Sequence, residues 1–134
     1  MTEHQVFISY SHSDAAWAED FARNLVGQGL SVWLDRFELT PGRQWAELLE
    51  AALRNCDVIA FLIQPDKLRS SWLSLELGAA MSMQKIIIPI VPVGFEARLL
   101  PAPLRRIQWL ERTSPEDTAQ KFAHALTVLA QKAA

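Results

Sequence analysis

The run Asp57 to Ile63 is nearly all apolar. A strand with so little polar alternation has to be covered on both faces, as the central strand of a parallel sheet is. The rest of the chain supplies that cover, because short β-branched apolar runs alternate with segments of helical period, the pattern of an α/β sandwich. Val6 to Tyr10 reads as the first strand. Ser13 or Asp14 is placed to cap a helix in which Trp17, Ala18, Phe21, Ala22, Leu25 and Val26 recur at helical spacing; Glu19, Asp20, Arg23 and Asn24 face the other way, and Gly27 and Gly29 end it. Ser31 to Asp35 gives a second strand. A loop with Thr40-Pro41-Gly42 follows, then a helix whose stripe is Trp45, Leu48, Leu49, Ala52 and Leu53. After the central strand comes a helix with Trp72 and Glu76, then the run Ile86 to Val93, where Pro89 and Pro92 predict irregular pairing. Ile107 to Leu110 is a short fifth strand. Ser114-Pro115-Glu116-Asp117 opens the last helix with a cap, a proline at the first position and acids in the first turn, and Phe122, Ala123, Leu126, Leu129 and Ala130 form its buried stripe.

With 134 residues, 50% of them hydrophobic, the chain reads as one domain, 1–134, able to build a core without disulfide or metal. Net charge is −2 with acids and bases interspersed, so no basic patch recommends nucleic acid and no charge run suggests a tail. Cys56 is the single cysteine; it excludes an internal disulfide, reads as a small buried residue and fits a reducing compartment. The most apolar stretch, Ile86 to Phe95, is too short to cross a bilayer and no secretory signal is visible, so a cytoplasmic protein without membrane contact is expected. The first turn, Tyr10-Ser11-His12-Ser13-Asp14, lacks the glycines of a dinucleotide or P-loop phosphate cradle. Ser11, His12 and Asp14 are chain neighbours and make a poor triad. His4, His12 and His124 are scattered, and no metal site is legible. A phosphoacceptor receiver would want acids after strand one and an aspartate closing strand three, where this chain has Tyr10-Ser11 and Gln64.

If the strands lie in the order 2-1-3-4-5, the ligand crevice falls at the carboxyl ends of strands one and three. That selects Tyr10 to Ser13 and the segment Gln64 to Leu77. In the second, Ser71-Trp72-Leu73-Ser74-Leu75-Glu76-Leu77 places one carboxylate in an apolar stretch, four residues after a tryptophan and on the same helix face. Such a carboxylate loses water and needs compensation, which hydroxyls or a developing positive charge in a pocket would give, while the indole could stack on a planar ligand. Two plainer roles stay open: Glu76 leaning into solvent at a helix boundary, and Trp72 anchoring the core.

Together these segments resemble the TIR (Toll/interleukin-1 receptor) domain family, in its bacterial NAD-cleaving type. Phe7-Ile8-Ser9-Tyr10-Ser11 with Asp14 looks like the family's first motif. Val32-Trp33-Leu34-Asp35 and Leu39-Thr40-Pro41-Gly42 look like its second strand and long loop, Ser71-Trp72 with Glu76 like the helix of the catalytic glutamate, and Ile88-Pro89-Ile90 like its fourth strand. The resemblance covers nearly the whole chain and implies a flavodoxin-like three-layer sandwich, with a five-stranded parallel sheet in the order 2-1-3-4-5 and helices on both faces. It also implies one of two jobs: cleavage of the nicotinamide-ribose bond of NAD+, or a non-catalytic adaptor that joins TIR domains. Adaptors commonly lack the glutamate that this chain has. For the enzyme, NAD+ is substrate and no cofactor is expected. Glu76 is catalytic, Trp72 stacks on the substrate, and Tyr10 and Ser11 line the nicotinamide end. Gly42 and Arg43 belong to a loop that closes over substrate or touches a neighbouring subunit, with Arg43 suited to the pyrophosphate. Turn formation for Tyr10 and Ser11, and a solvated Arg43, are the alternatives. Ser11-His12 depart from the family's enzymes, which often carry a basic residue after the tyrosine. Self-association through TIR-TIR contacts is implied as the activating event; in the adaptor reading the Phe37 to Arg43 loop binds another TIR surface, with Phe37 and Leu39 as the apolar anchors. The chain lacks room for a sensor, so a sensor domain or partner protein outside it, in bacterial antiviral defence, is expected to supply the trigger. Hydrolysis and cyclisation share the first step, which leaves the product open.

Overall fold

The computed structural model describes residues 4–10, 12–33, 54–63, 85–96, 98 and 109–133. Five strands, β1 (Gln5–Ser9), β2 (Ser31–Trp33), β3 (Val58–Leu62), β4 (Ile86–Pro92) and β5 (Leu110–Arg112), form one sheet. Their order is β2-β1-β3-β4-β5, and every pairing is parallel. This is the flavodoxin-like order expected from the sequence. The apolar run at its centre behaves as its composition requires, with all five residues of β3 buried. Val58, Ala60 and Leu62 join Val6, Ile8, Ile88 and Ile90 in one cluster against two helices, α1 (Ala15–Gly27) and α2 (Pro115–Ala133). The alternate residues Phe7, Ile59, Phe61, Ile87 and Val91 are buried too, so the sheet is covered on both sides.

The two helices meet through Phe21 of α1 and Phe122 of α2, whose rings pack edge to face with centroids 5.6 Å apart. Both are fully buried, and each contributes about 2 kcal/mol by leaving water. In α1 the stripe Ala18, Phe21, Ala22 and Leu25 is buried as its spacing predicts, but Val26 is 59% exposed. It lies about 100° round the helix from Leu25, beyond the edge of the buried face. The helix ends in a Schellman turn. Gly29 takes φ 88°, its amide donates to the Val26 carbonyl, and the Leu30 amide donates to that of Leu25. In α2, Ser114 caps as expected: its Oγ accepts from the Asp117 amide at 3.1 Å and its carbonyl from the Thr118 amide at 2.9 Å. The buried stripe is Thr118, Ala119, Phe122, Ala125 and Leu126, with Ala123 only half-buried.

Two strand expectations change. The prolines of β4 do not disturb its pairing with β3, which runs in register from Val58↔Ile86 to Leu62↔Ile90. The Ile86 amide and the Ile90 carbonyl both bond toward β3, so residue 89 between them faces the β5 side. β5 pairs only from Ile90 onward, and Pro89 therefore has no partner there to disappoint. The fifth strand is Leu110–Arg112 rather than Ile107 to Leu110, with residues 107 and 108 outside the described set; the register with the end of β4 sets its position. Tyr10, expected as the last residue of strand one, lies just past it. The expected helices around Trp45 and Trp72 lie outside the described residues, apart from helical Arg54 and Asn55.

Candidate functional site

With β2 on one side of β1 and β3 on the other, the chain reverses its winding direction between β1 and β3, and the crevice of such a sheet opens at their carboxyl ends. Ser9 is level with Phe61 there, which brings Tyr10 to this edge. The Tyr10 side chain is 4% exposed and belongs to the core cluster on the α1 and α2 side. It anchors the end of β1. Of the other expected site residues, Ser11, Gly42, Arg43, Trp72 and Glu76 all lie outside the described residues, as do Phe37 and Leu39.

After Tyr10 the chain makes a 3-10 turn, His12–Asp14, and enters α1. Asp14 occupies the cap position, as one of the two expected candidates, but its side chain makes no capping hydrogen bond. The carboxylate instead accepts from Arg112 Nη1 at 2.7 Å. The Arg112 guanidinium lies 4.6 Å from the centre of the Trp17 ring, which stacks on Phe21 at 5.1 Å. The Trp17 indole N–H donates to the Thr113 carbonyl at 3.1 Å. The network continues into the start of α2, where the Thr113 hydroxyl donates to Asp117 at 2.5 Å and Lys121 lies 3.0 Å from the same carboxylate. The Thr113 bond first, and Lys121 second, hold the Asp117 carboxyl below its usual range. Sequence reasoning placed Trp17 in the core stripe and missed Arg112. An acid at a helix start and a base closing the last strand were visible, but nothing in their spacing joined them.

A second polar group sits at the opposite, amino edge of the sheet. His4 Nδ1 lies 2.5 Å from Asp57 Oδ2, and the Gln5 amide donates to Asp57 Oδ1 at 2.7 Å, so one carboxylate ties the starts of β1 and β3 together. It is remote from the crevice. Beside it Cys56 is buried, as expected. A surface groove of about 400 Å³ lies along α1 and β2, lined by Glu19, Ala22, Arg23, Val26 and Val32. Among the described residues no helix is long and apolar enough to cross a membrane.

A parallel α/β sheet with its switch point between β1 and β3 defines the flavodoxin-like class of ligand-crevice folds. Within that class the model of the TIR domain family matches residues 6–126, and the chain belongs to the TIR domain family. No curated protein matches it in sequence. Among solved structures it is similar in fold to a metazoan TIR-STING receptor from C. gigas in complex with 2',3'-cGAMP (TM-score 0.71, 20% identity). That match covers 91% of this chain, which spans 39% of the receptor. The TIR domain of the Toll-related receptor TRR-2 from Hydra magnipapillata aligns with TM-score 0.67 and 23% identity over 92% of this chain and 95% of that one. A CMP N-glycosidase from Clostridium botulinum aligns with TM-score 0.62 and 19% identity over 88% of this chain and 97% of that one.

Proposed function

We propose that this TIR domain is an NAD+ glycohydrolase that breaks the nicotinamide-ribose bond, giving ADP-ribose or a cyclic isomer, and that it acts as a self-assembling effector in bacterial antiviral defence. The observation that carries this reading is Glu76, four residues after Trp72, in a chain of this family. The nicotinamide of NAD+ is a cationic pyridinium and departs neutral, so its leaving needs no proton donor. One carboxylate is enough. Glu76 holds the ribose hydroxyls and stabilises the oxocarbenium-like transition state, where ordinary glycosidases use two carboxylates. Trp72 stacks on the substrate. Ser11, following Tyr10 at the end of β1, lines the nicotinamide end, and Arg43 beside Gly42 meets the pyrophosphate. A fold relative named for cleaving an N-glycosidic bond supports the bond type, though its named substrate is CMP. The trigger comes from a sensor domain or partner protein.

Glu76→Gln tests this directly, because the amide keeps the shape and removes the charge. Nicotinamide release should fall about a hundredfold or more while the melting temperature holds. Release at the wild-type rate would overturn the enzyme reading and leave the adaptor.

A further inference from the structure

An aspartate at a helix cap position ordinarily spends its carboxylate on the first helical amides, and Asp14 does not. Its side chain, 9% exposed, reaches Arg112 at the end of β5, 98 residues away in the chain and separated from β1 by β3 and β4 in the sheet. The guanidinium is held from a second direction by the Trp17 ring, and that ring is fixed in turn by the Thr113 carbonyl and by stacking on Phe21. Arg112 thus clamps the first turn of α1 to the far side of the molecule. The segment it clamps is the 3-10 turn that follows Tyr10 and Ser11 at the carboxyl end of β1.

We infer that Arg112 is a positioning residue for ligand binding: through Asp14 it fixes the turn that directly follows Ser11, the residue that the proposed function sets at the nicotinamide end. This rests on the NAD+ reading of the same site. The role calls for a planar guanidinium, which can donate to Asp14 and lie over Trp17 at once, whereas a lysine keeps the charge and loses the stacking. A loosened turn weakens capture of the substrate more than it alters the chemistry at Glu76, which belongs to another segment, so KM should move and kcat should not.

The experiment compares Arg112→Ala, Arg112→Lys and Asp14→Asn with Ile88→Val, a variant of the buried β4 core that loosens the fold and has no part in the clamp. Two readouts are taken: amide hydrogen exchange of peptides covering residues 10–17 and 58–62, and steady-state nicotinamide release from NAD+. In Arg112→Ala and Asp14→Asn, exchange over 10–17 should quicken about tenfold beyond any change over 58–62. KM for NAD+ should rise about tenfold with kcat within about threefold, and Arg112→Lys should recover part of both. Unchanged exchange over 10–17 overturns the inference, as does an equal rise of KM in Ile88→Val. If the wild type releases no nicotinamide, the NAD+ reading falls, and the exchange result alone decides whether Arg112 holds the turn.

Discussion

Cys56 is 1% exposed and precedes β3 with Asp57 as its neighbour. Burial first, and the Asp57 charge second, raise its thiol from 9.0 to about 11, against a smaller opposing pull from Lys85. The unfolded chain releases this proton near pH 9 while the folded chain keeps it, so the folded state binds more protons between those values and loses stability as pH rises through them. Unfolding free energy should fall by roughly 2 kcal/mol from this group alone between pH 9 and pH 11. Denaturant titrations of the wild type and of Cys56→Ala over that window check it: the mutant's curve should be flatter, and parallel curves would assign the alkaline loss elsewhere. At neutral pH the folded chain should react slowly with iodoacetamide, since the thiolate is the nucleophile. Near the crevice a buried carboxylate, Asp14, lies 2.7 Å from Arg112, and removing either partner strands the other.

Among the elements, α1 carries two glycines at one end with opposite demands. Gly29 needs a positive φ to close the Schellman turn, whereas Gly27 is the last helical residue and, among the described residues beyond its own turn of helix, nothing lies within 4 Å of where a Cβ would stand. Gly29→Ala should therefore destabilise by about 1 kcal/mol. Gly27→Ala should stabilise by roughly 0.5 kcal/mol or more, because alanine loses less backbone freedom on folding. Thermal unfolding of the two variants side by side gives the signs, and a loss in both would mean that the end of α1 tolerates no Cβ. The start of α2 was the best specified element in the sequence: Ser114, Pro115, Glu116 and Asp117 each have a local role, and the structure assigns the cap to Ser114 as expected. Strand ends were less legible, since β5 stops and starts where β4 offers pairing groups.

At the scale of the whole molecule, the crevice at the ends of β1 and β3 is where the NAD+ reading and the assembly reading meet. A carboxylate left in water stabilises an oxocarbenium weakly, because solvent screens it, and a neighbouring copy can dry and complete the site. Nicotinamide release per molecule should accordingly rise steeply with protein concentration and nearly vanish in dilute monomer. A wide dilution series with light scattering in parallel measures this, and constant activity per molecule while the protein stays monomeric would show a self-sufficient site. The segment Phe37 to Arg43 offers a test of the link between the two readings: a charge at Phe37 that removes both association and cleavage would make assembly a condition of catalysis.

By itself the sequence determined the layers, the central strand and the family. Apolar runs, helical stripes and caps are local quantities, and Asp57 to Ile63 can be read as a strand covered on both faces without knowing what covers it. The expected pairing of Glu76 with Trp72 rests likewise on a local quantity, a spacing of four residues. Tertiary structure alone decided that Val26 leans out, because the edge of a buried face depends on the partner it meets. It also decided that Pro89 sits harmlessly in β4, because that depends on which neighbour its missing amide faces. The pairing of Asp14 with Arg112 lay furthest from reach: no period in the sequence relates residues 98 apart, and only the packing of α1 against α2 on one face of the sheet brings the two charges together.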